Sequence, residues 1–292
     1  MKKLLLAASL VLALALVLAP AALATTYHTI ILDGINDFAA DELLGSSTHG
    51  GGGAGADLQN LYVTWDATYL YVGMTTNNTV GDWNVAYGFA IDTDQVAGSG
   101  YNGGATPSDA WGRLIGFSSP YEPEHEVYFW WDGGSGSVTG WNRCTWNGAG
   151  WNYFGVDFAT SGNVVNGLQY LEFRISWADL GGVPPRLNLY AWVAGDGGSS
   201  AVDTIPYDGN VPIGDSWLDY DNLGASLQVS VDVNPTDGIP DTGYSPYPGP
   251  QVLSVTLSSF DSRSPVMRYG AGLILLAIFT ATLVVWRVKR KG

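Results

Sequence analysis

Apolar and polar positions alternate along most of this chain with the period of a strand rather than a helix. In YLYVGMT, Leu70, Val72 and Met74 fall on one face and Tyr69, Tyr71 and Gly73 on the other. LYVTWD (Leu61 to Asp66) precedes this run by only Ala67 and Thr68, so the pair predicts a hairpin. NVAYGFAID, HEVYFWWD, WNYFGVDF, LQYLEFRISW and LNLYAWVAG continue the habit, and LQVSVDV supplies a late strand. Adjacent Trp130 and Trp131 must face opposite sides of theirs. Only Ser176 to Leu180 reads as a helical turn. Many short strands separated by Gly, Asn and Asp predict an all-β fold: an antiparallel β-sandwich with jelly-roll or immunoglobulin-like layers, over residues 25–232.

The pattern breaks at both ends. MKKLLLAASLVLALALVLAPAALA, residues 1–24, has the basic start, apolar run and small-residue finish of a secretory signal peptide. Residues 233–268 open with the Pro-, Gly- and Asp-rich NPTDGIPDTGYSPYPGP and read as a linker and stalk. Residues 269–287 form an apolar run long enough, at roughly 26 Å as a helix, to cross a bilayer core. Arg287, Lys289, Arg290 and Lys291 follow it, which assigns residues 288–292 to a cytoplasmic tail. These signals predict a single-pass protein of the cell membrane, most of it outside and held to the membrane by its C-terminal helix.

Charge narrows the partners. All 27 acidic residues lie between the two apolar ends, against six arginines and no lysine. That excess argues against nucleic acid as a partner. The single cysteine, Cys144, has no internal partner for a disulfide. Neither G-x-S-x-G nor H-E-x-x-H occurs, so no enzyme activity is expected.

Several phrases together carry a resemblance. LDG-x-x-D (Leu32 to Asp37), NLYVTWDATYLYVGM, FAIDTD with its glycine-rich sequel, LEFRISWADLG and DTIPYDG occur in order. Over roughly residues 27–223 the chain resembles the DOMON-like β-sandwich superfamily. The likeness is closest to family 9 carbohydrate-binding modules and the C-terminal domain of glucodextranase-like enzymes.

Two candidate sites follow. Asp92 and Asp94, two apart at a strand end, turn their carboxylates the same way, and calcium would relieve the repulsion. Alternatively they cap the turn through its own amides. The resemblance implies structural calcium near the first strands, which adds Asp33, Asp37 and Asp41 as candidate ligands. Asp232, Asn234, Asp237 and Asp241 form a looser acidic phrase that misses the EF-hand spacing.

Twelve tryptophans point to a ligand with flat apolar faces, such as a sugar ring. The resemblance implies a terminal sugar clamped between two of them. Trp83, Trp131, Trp141 and Trp151 are the candidates, with Arg113 and Asn142 as polar partners. The expected function is therefore a non-catalytic module that binds carbohydrate or a cell-surface polymer. A structural or protein-interaction domain with no small ligand is the alternative.

Overall fold

The computed structural model describes residues 29–47, 55–118 and 120–231. The leader, the 233–268 linker, the 269–287 apolar run, the basic tail and Asp232, Asn234, Asp237 and Asp241 lie outside the described residues. Chain contacts define two units, Met1–Ser245 and Pro246–Gly292, and the second falls wholly outside them. Among the described residues no helix is long and apolar enough to cross a membrane.

The described residues of the first unit form fourteen strands and one 3-10 turn (Ala40–Glu42). The strands are β1 (Leu43–Ser46), β2 (Leu58–Trp65), β3 (Tyr69–Thr76), β4 (Val85–Asp92), β5 (Ile115–Phe117), β6 (His125–Asp132) and β7 (Ser137–Trp146). They continue as β8 (Trp151–Phe154), β9 (Asp157–Asn163), β10 (Gly167–Ser176), β11 (Arg186–Ala194), β12 (Ala201–Ile205), β13 (Asp221–Leu223) and β14 (Leu227–Ser230). One antiparallel sheet runs β1-β2-β3-β10-β9. The other runs β12-β11-β4-β6-β7-β8, and β14 also pairs with β11. β13 and β5 form a small parallel pair, a departure from the purely antiparallel expectation.

The predicted hairpin is present, with Val63 opposite Val72 and Trp65 opposite Leu70. Asp66 closes it, its Oδ1 accepting the Thr68 and Tyr69 amides at 2.7 and 2.8 Å. Leu70, Val72 and Met74 enter one core with Phe89, Phe129 and Trp131 of the second sheet. Asp203 of β12 adds a polar tie between the sheets, its Oδ2 accepting the Leu58 amide of β2 at 2.8 Å. The two sheets thus share one interior, in the manner of a sandwich. Ser176 to Leu180 makes a hydrogen-bonded turn and no helix.

A second core was not foreseen. On the outer face of the larger sheet, Ala86, Ala90, Tyr128, Tyr190 and Trp192 are covered by Tyr101, Ile115, Phe117, Val211 and Leu223 from the long connections. The period of two explains it: β4 and β6 carry apolar residues on both faces, so β4 is buried at every position. Trp131 enters the inner core and Trp130 packs against the outer one, as their adjacency requires. Gly88 of β4 lets Trp192 lie flat on the sheet, because a Cβ there would come within 2.3 Å of the indole. Gly88→Ala is expected to cost about 1–3 kcal/mol and lower the melting midpoint by several degrees, read by calorimetry.

Candidate functional site

The loop that begins where β4 ends organises a dense polar cluster. Asp92 is buried on β4 opposite Asn188 of β11, whose Nδ2 donates to Asp92 Oδ2 at 2.8 Å. The Gln95 amide and side chain donate to the two Asp92 oxygens at 2.9 and 3.1 Å. Gln95 adopts φ 59, so the chain reverses there. Asp94 Oδ1 accepts the Val96 amide at 2.7 Å and the Ser99 hydroxyl at 2.9 Å. From the segment before β6, Glu124 accepts the Thr93 amide at 2.7 Å and the Ser99 hydroxyl at 3.1 Å. Asp92, Asp94 and Glu124 each bring a carboxylate oxygen within 4.8 Å of the others.

Three carboxylates at that spacing repel one another. Burial, with the Asp92 and Asp94 charges added, pushes Glu124 up to about 7. Burial raises Asp92 as well, offset in part by the Asn188 and backbone donors. Asp92 and Asp94 each cap their own turn, and together they meet a third carboxylate. The set offers only oxygen donors, the Ser99 hydroxyl among them, and this fits a hard cation such as calcium.

The same loop forms one wall of a cleft of about 420 Å³ lined by Gly98–Gly104, Glu122, Trp146 and Gly148. Tyr101 packs edge-on against Trp146 and tilts against Trp151, both at 5.2 Å between ring centres. Asn102 Nδ2 donates to Glu122 Oε1 at 3.3 Å. Gly100 must be a glycine, since a Cβ there would meet the Glu122 carbonyl at 2.0 Å. One short segment serves both features. Glu122 lines the cleft, the Pro123 carbonyl accepts the Tyr101 amide at 3.0 Å, and the Glu124 carbonyl accepts the Trp146 amide at 2.8 Å. Ser99 belongs to the carboxylate trio and to the cleft wall alike.

No family model matches the chain, and no curated protein matches it. Its own residues have to carry the functional reading.

Outward from the second core a buried polar network backs the loop. Tyr128 donates its hydroxyl to Asp109, and Glu126 Oε2 accepts the Ala110 amide at 3.0 Å. Burial pushes Asp109 up to about 6, and burial with the Asp109 charge added holds Glu126 well above the ordinary carboxylate range. Arg113 is fully engaged here. It donates to the Gly195 carbonyl at 3.2 and 3.0 Å and to the Trp111 carbonyl at 2.9 Å. Its guanidinium lies over Trp111, Tyr128 and Trp130.

The structure disperses the tryptophans expected to act together. Trp131 is 1% exposed in the inner core, and Trp83 packs edge-on against Trp217 at 6.0 Å. Trp141 is 42% exposed on β7 beside Phe158. Trp151 packs against Tyr101 and Trp146 and is not among the residues that line the cleft. Asn142 donates to the Phe154 carbonyl at 3.4 Å. Of the five expected aspartates, only Asp92 and Asp94 come together. Asp33 and Asp37 cap their own segment, accepting the Ile35 and Ile31 amides at 2.9 and 3.4 Å. That segment lies on the smaller sheet, where Glu172 of β10 accepts the Asp33 and Gly34 amides at 2.8 and 2.7 Å. Asp41 is exposed in the 3-10 turn.

Glu122, Glu124, Tyr101, Asn102 and Trp146 were missed. The signal available was YEPEHE, in which three glutamates repeat the two-residue spacing of DTD. A second acidic group, Asp215, Asp219 and Asp221, also gathers within 4.8 Å. Within it Asp221 is buried, accepts the Ala201 amide at 2.9 Å and is pushed up to about 7.

Proposed function

We propose that this chain is a non-catalytic module displayed outside the cell, tethered by its C-terminal apolar segment, that binds carbohydrate in the cleft beside the carboxylate trio. The observation that carries the reading is the pairing in one cleft of an aromatic wall, Tyr101 and Trp146, with the amide and carboxylate of Asn102 and Glu122. An indole or phenol face suits the C–H face of a sugar, and an amide beside a carboxylate suits its hydroxyls. The ordered motifs shared with DOMON-like modules agree with this reading and form part of the proposal.

Calcium held by Asp92, Asp94 and Glu124 completes it. Bound there, the cation would neutralise three crowded carboxylates and so stiffen the loop that walls the cleft. The trio and Ser99 orient the loop, and Glu122 remains directed to the cleft. The expected result is a calcium-dependent rise in melting midpoint of the detergent-purified full chain. At a hundredfold excess over Kd the stabilisation is about 2.7 kcal/mol, or roughly 5–10 °C. Glu124→Gln should remove most of the rise. Equal midpoints in EDTA and in calcium would end the calcium proposal.

A glycan-array screen of the same preparation tests the sugar reading. A second reading, a structural or interaction domain, is favoured by the dispersal of the tryptophans and by the exposed Trp141 and Phe154, which share one face of β7 and β8. A blank array, with or without calcium, would transfer the assignment to it.

A further inference from the structure

We propose that Asn77 is the acceptor of an N-linked glycan. Asn77-Asn78-Thr79 is the one Asn-x-Ser/Thr phrase of the chain with no proline in the middle; Asn234-Pro235-Thr236 is blocked by its proline. β3 ends at Thr76, and residues 77–80 leave the sheet without regular structure.

The middle residue is held inside. Asn78 is 3% exposed, its Oδ1 accepts the Asp57 amide at 3.0 Å, and its Nδ2 donates to the Tyr87 hydroxyl at 2.6 Å. The Asn77 backbone is fixed as well, its amide donating to the Asp57 carbonyl at 2.9 Å. Anchoring Asn78 leaves Asn77 and Thr79, on either side of it, exposed to solvent. Most asparagines here are structural: Asn84 and Asn163 accept backbone amides and Asn188 donates to Asp92. The Asn77 side chain makes no hydrogen bond to a described residue. Its amide is presented, with the Thr79 hydroxyl two residues on, and nothing in the fold depends on it.

The transfer balances with a lipid-linked oligosaccharide as co-substrate. The Asn77 amide nitrogen bonds to the anomeric carbon, and the bond from that carbon to the lipid phosphate breaks. The phosphate leaves with the electron pair, the amide proton passes to a base of the transferase, and nothing is oxidised or reduced. Such donors are used on exported chains, so the inference rests on the exterior placement proposed above.

The test uses the full chain purified from the membranes of the organism that makes it. Cleavage before aspartate releases Asp66 to Gly81, which contains the whole motif. Mass spectrometry should find this peptide carrying hexose or N-acetylhexosamine increments, with fragment ions that assign them to Asn77. Asn77→Gln and Thr79→Ala should each abolish the increment and leave the melting midpoint unchanged. The peptide found only at its unmodified mass, or a sugar retained in Asn77→Gln, overturns the inference. Protease accessibility on intact cells separates the two proposals. An accessible but unmodified body refutes only the glycan, and a shielded body refutes the exterior placement too.

Discussion

Trp146→Ala is expected to remove glycan retention by the full chain, whereas Trp141→Ala, on the same strand, is expected to leave it intact. Trp146 ends β7, where it pairs with Trp151 of β8 and its amide is fixed by the Glu124 carbonyl at 2.8 Å. Its indole packs edge-on with Tyr101 and Trp151, and the half-buried residue lines the cleft. A ring already held by its neighbours is preorganised, so little entropy is lost when a sugar stacks on it. Truncating an anchor of this kind costs at least about 2 kcal/mol, or roughly thirtyfold in Kd. Titration calorimetry against whichever glycan the array returns reads that loss directly. Trp141 is more exposed but stands alone beside Phe158, with no polar pair like Asn102 and Glu122. The opposite result, binding lost in Trp141→Ala and kept in Trp146→Ala, would move the sugar to the β7–β8 surface. Because Trp146 also packs in the outer core, its variant must show a cooperative melt before the loss is read as a binding effect.

What the sequence made legible was everything set by the period of two. Leu70, Val72 and Met74 were assigned to one face, and all three enter the inner core. The hairpin, the opposed Trp130 and Trp131 and the late strand at Leu227–Ser230 follow from local pattern and turn chemistry alone. Whatever depended on register was not legible. Ile91 pairs with His125, and the next step along the same two strands brings Asp92 alongside Glu124. That meeting is fixed by a pairing across 31 intervening residues, and no local feature of FAIDTD announces it. Asp33, Asp37 and Asp41 failed to join for the same reason: their segment is tied through Glu172 to the other sheet. The tryptophans misled because high aromatic content has two origins here. A sheet buried on both faces needs a second set of large apolar residues, and Trp111, Trp130 and Trp192 serve that outer core. Only Trp146 of the outer-face tryptophans reaches the cleft lining.

Stability should rise as the medium is acidified, the reverse of the usual behaviour of a folded carboxylate. Asp203 is fully buried between β12 and β2, and burial pushes it from 3.8 up to about 7. Asp221 is pushed up to about 7 and Asp109 to about 6, in each case chiefly by burial. The ion pairs Arg143–Asp179 and Arg174–Asp157 engage none of these three. Where the folded value exceeds the unfolded one, the folded state holds more protons between the two, so stability falls as pH climbs through that window. Below about 4 both states are protonated and the penalty is absent; above about 7 both are ionised and it is complete. Over the two pH units from 7 to 5, Asp203 alone recovers about 2.3 kcal/mol, since it is half ionised at the upper end, or roughly 5–9 °C in the midpoint of a domain this size. Partial neutralisation of the 27 acidic residues, opposed by only 12 basic ones, acts in the same direction by relieving self-repulsion. Asp203→Asn separates the local effect from the global one. It removes one acceptor, either for the Leu58 amide or for the Thr204 amide, so it should be less stable than the parent at pH 5. Its midpoint should also change less between pH 5 and pH 7, because the titrating group is gone. A parent midpoint that rose with pH would mean these carboxylates are charged and paired in the folded state, by bound cations if not by arginine.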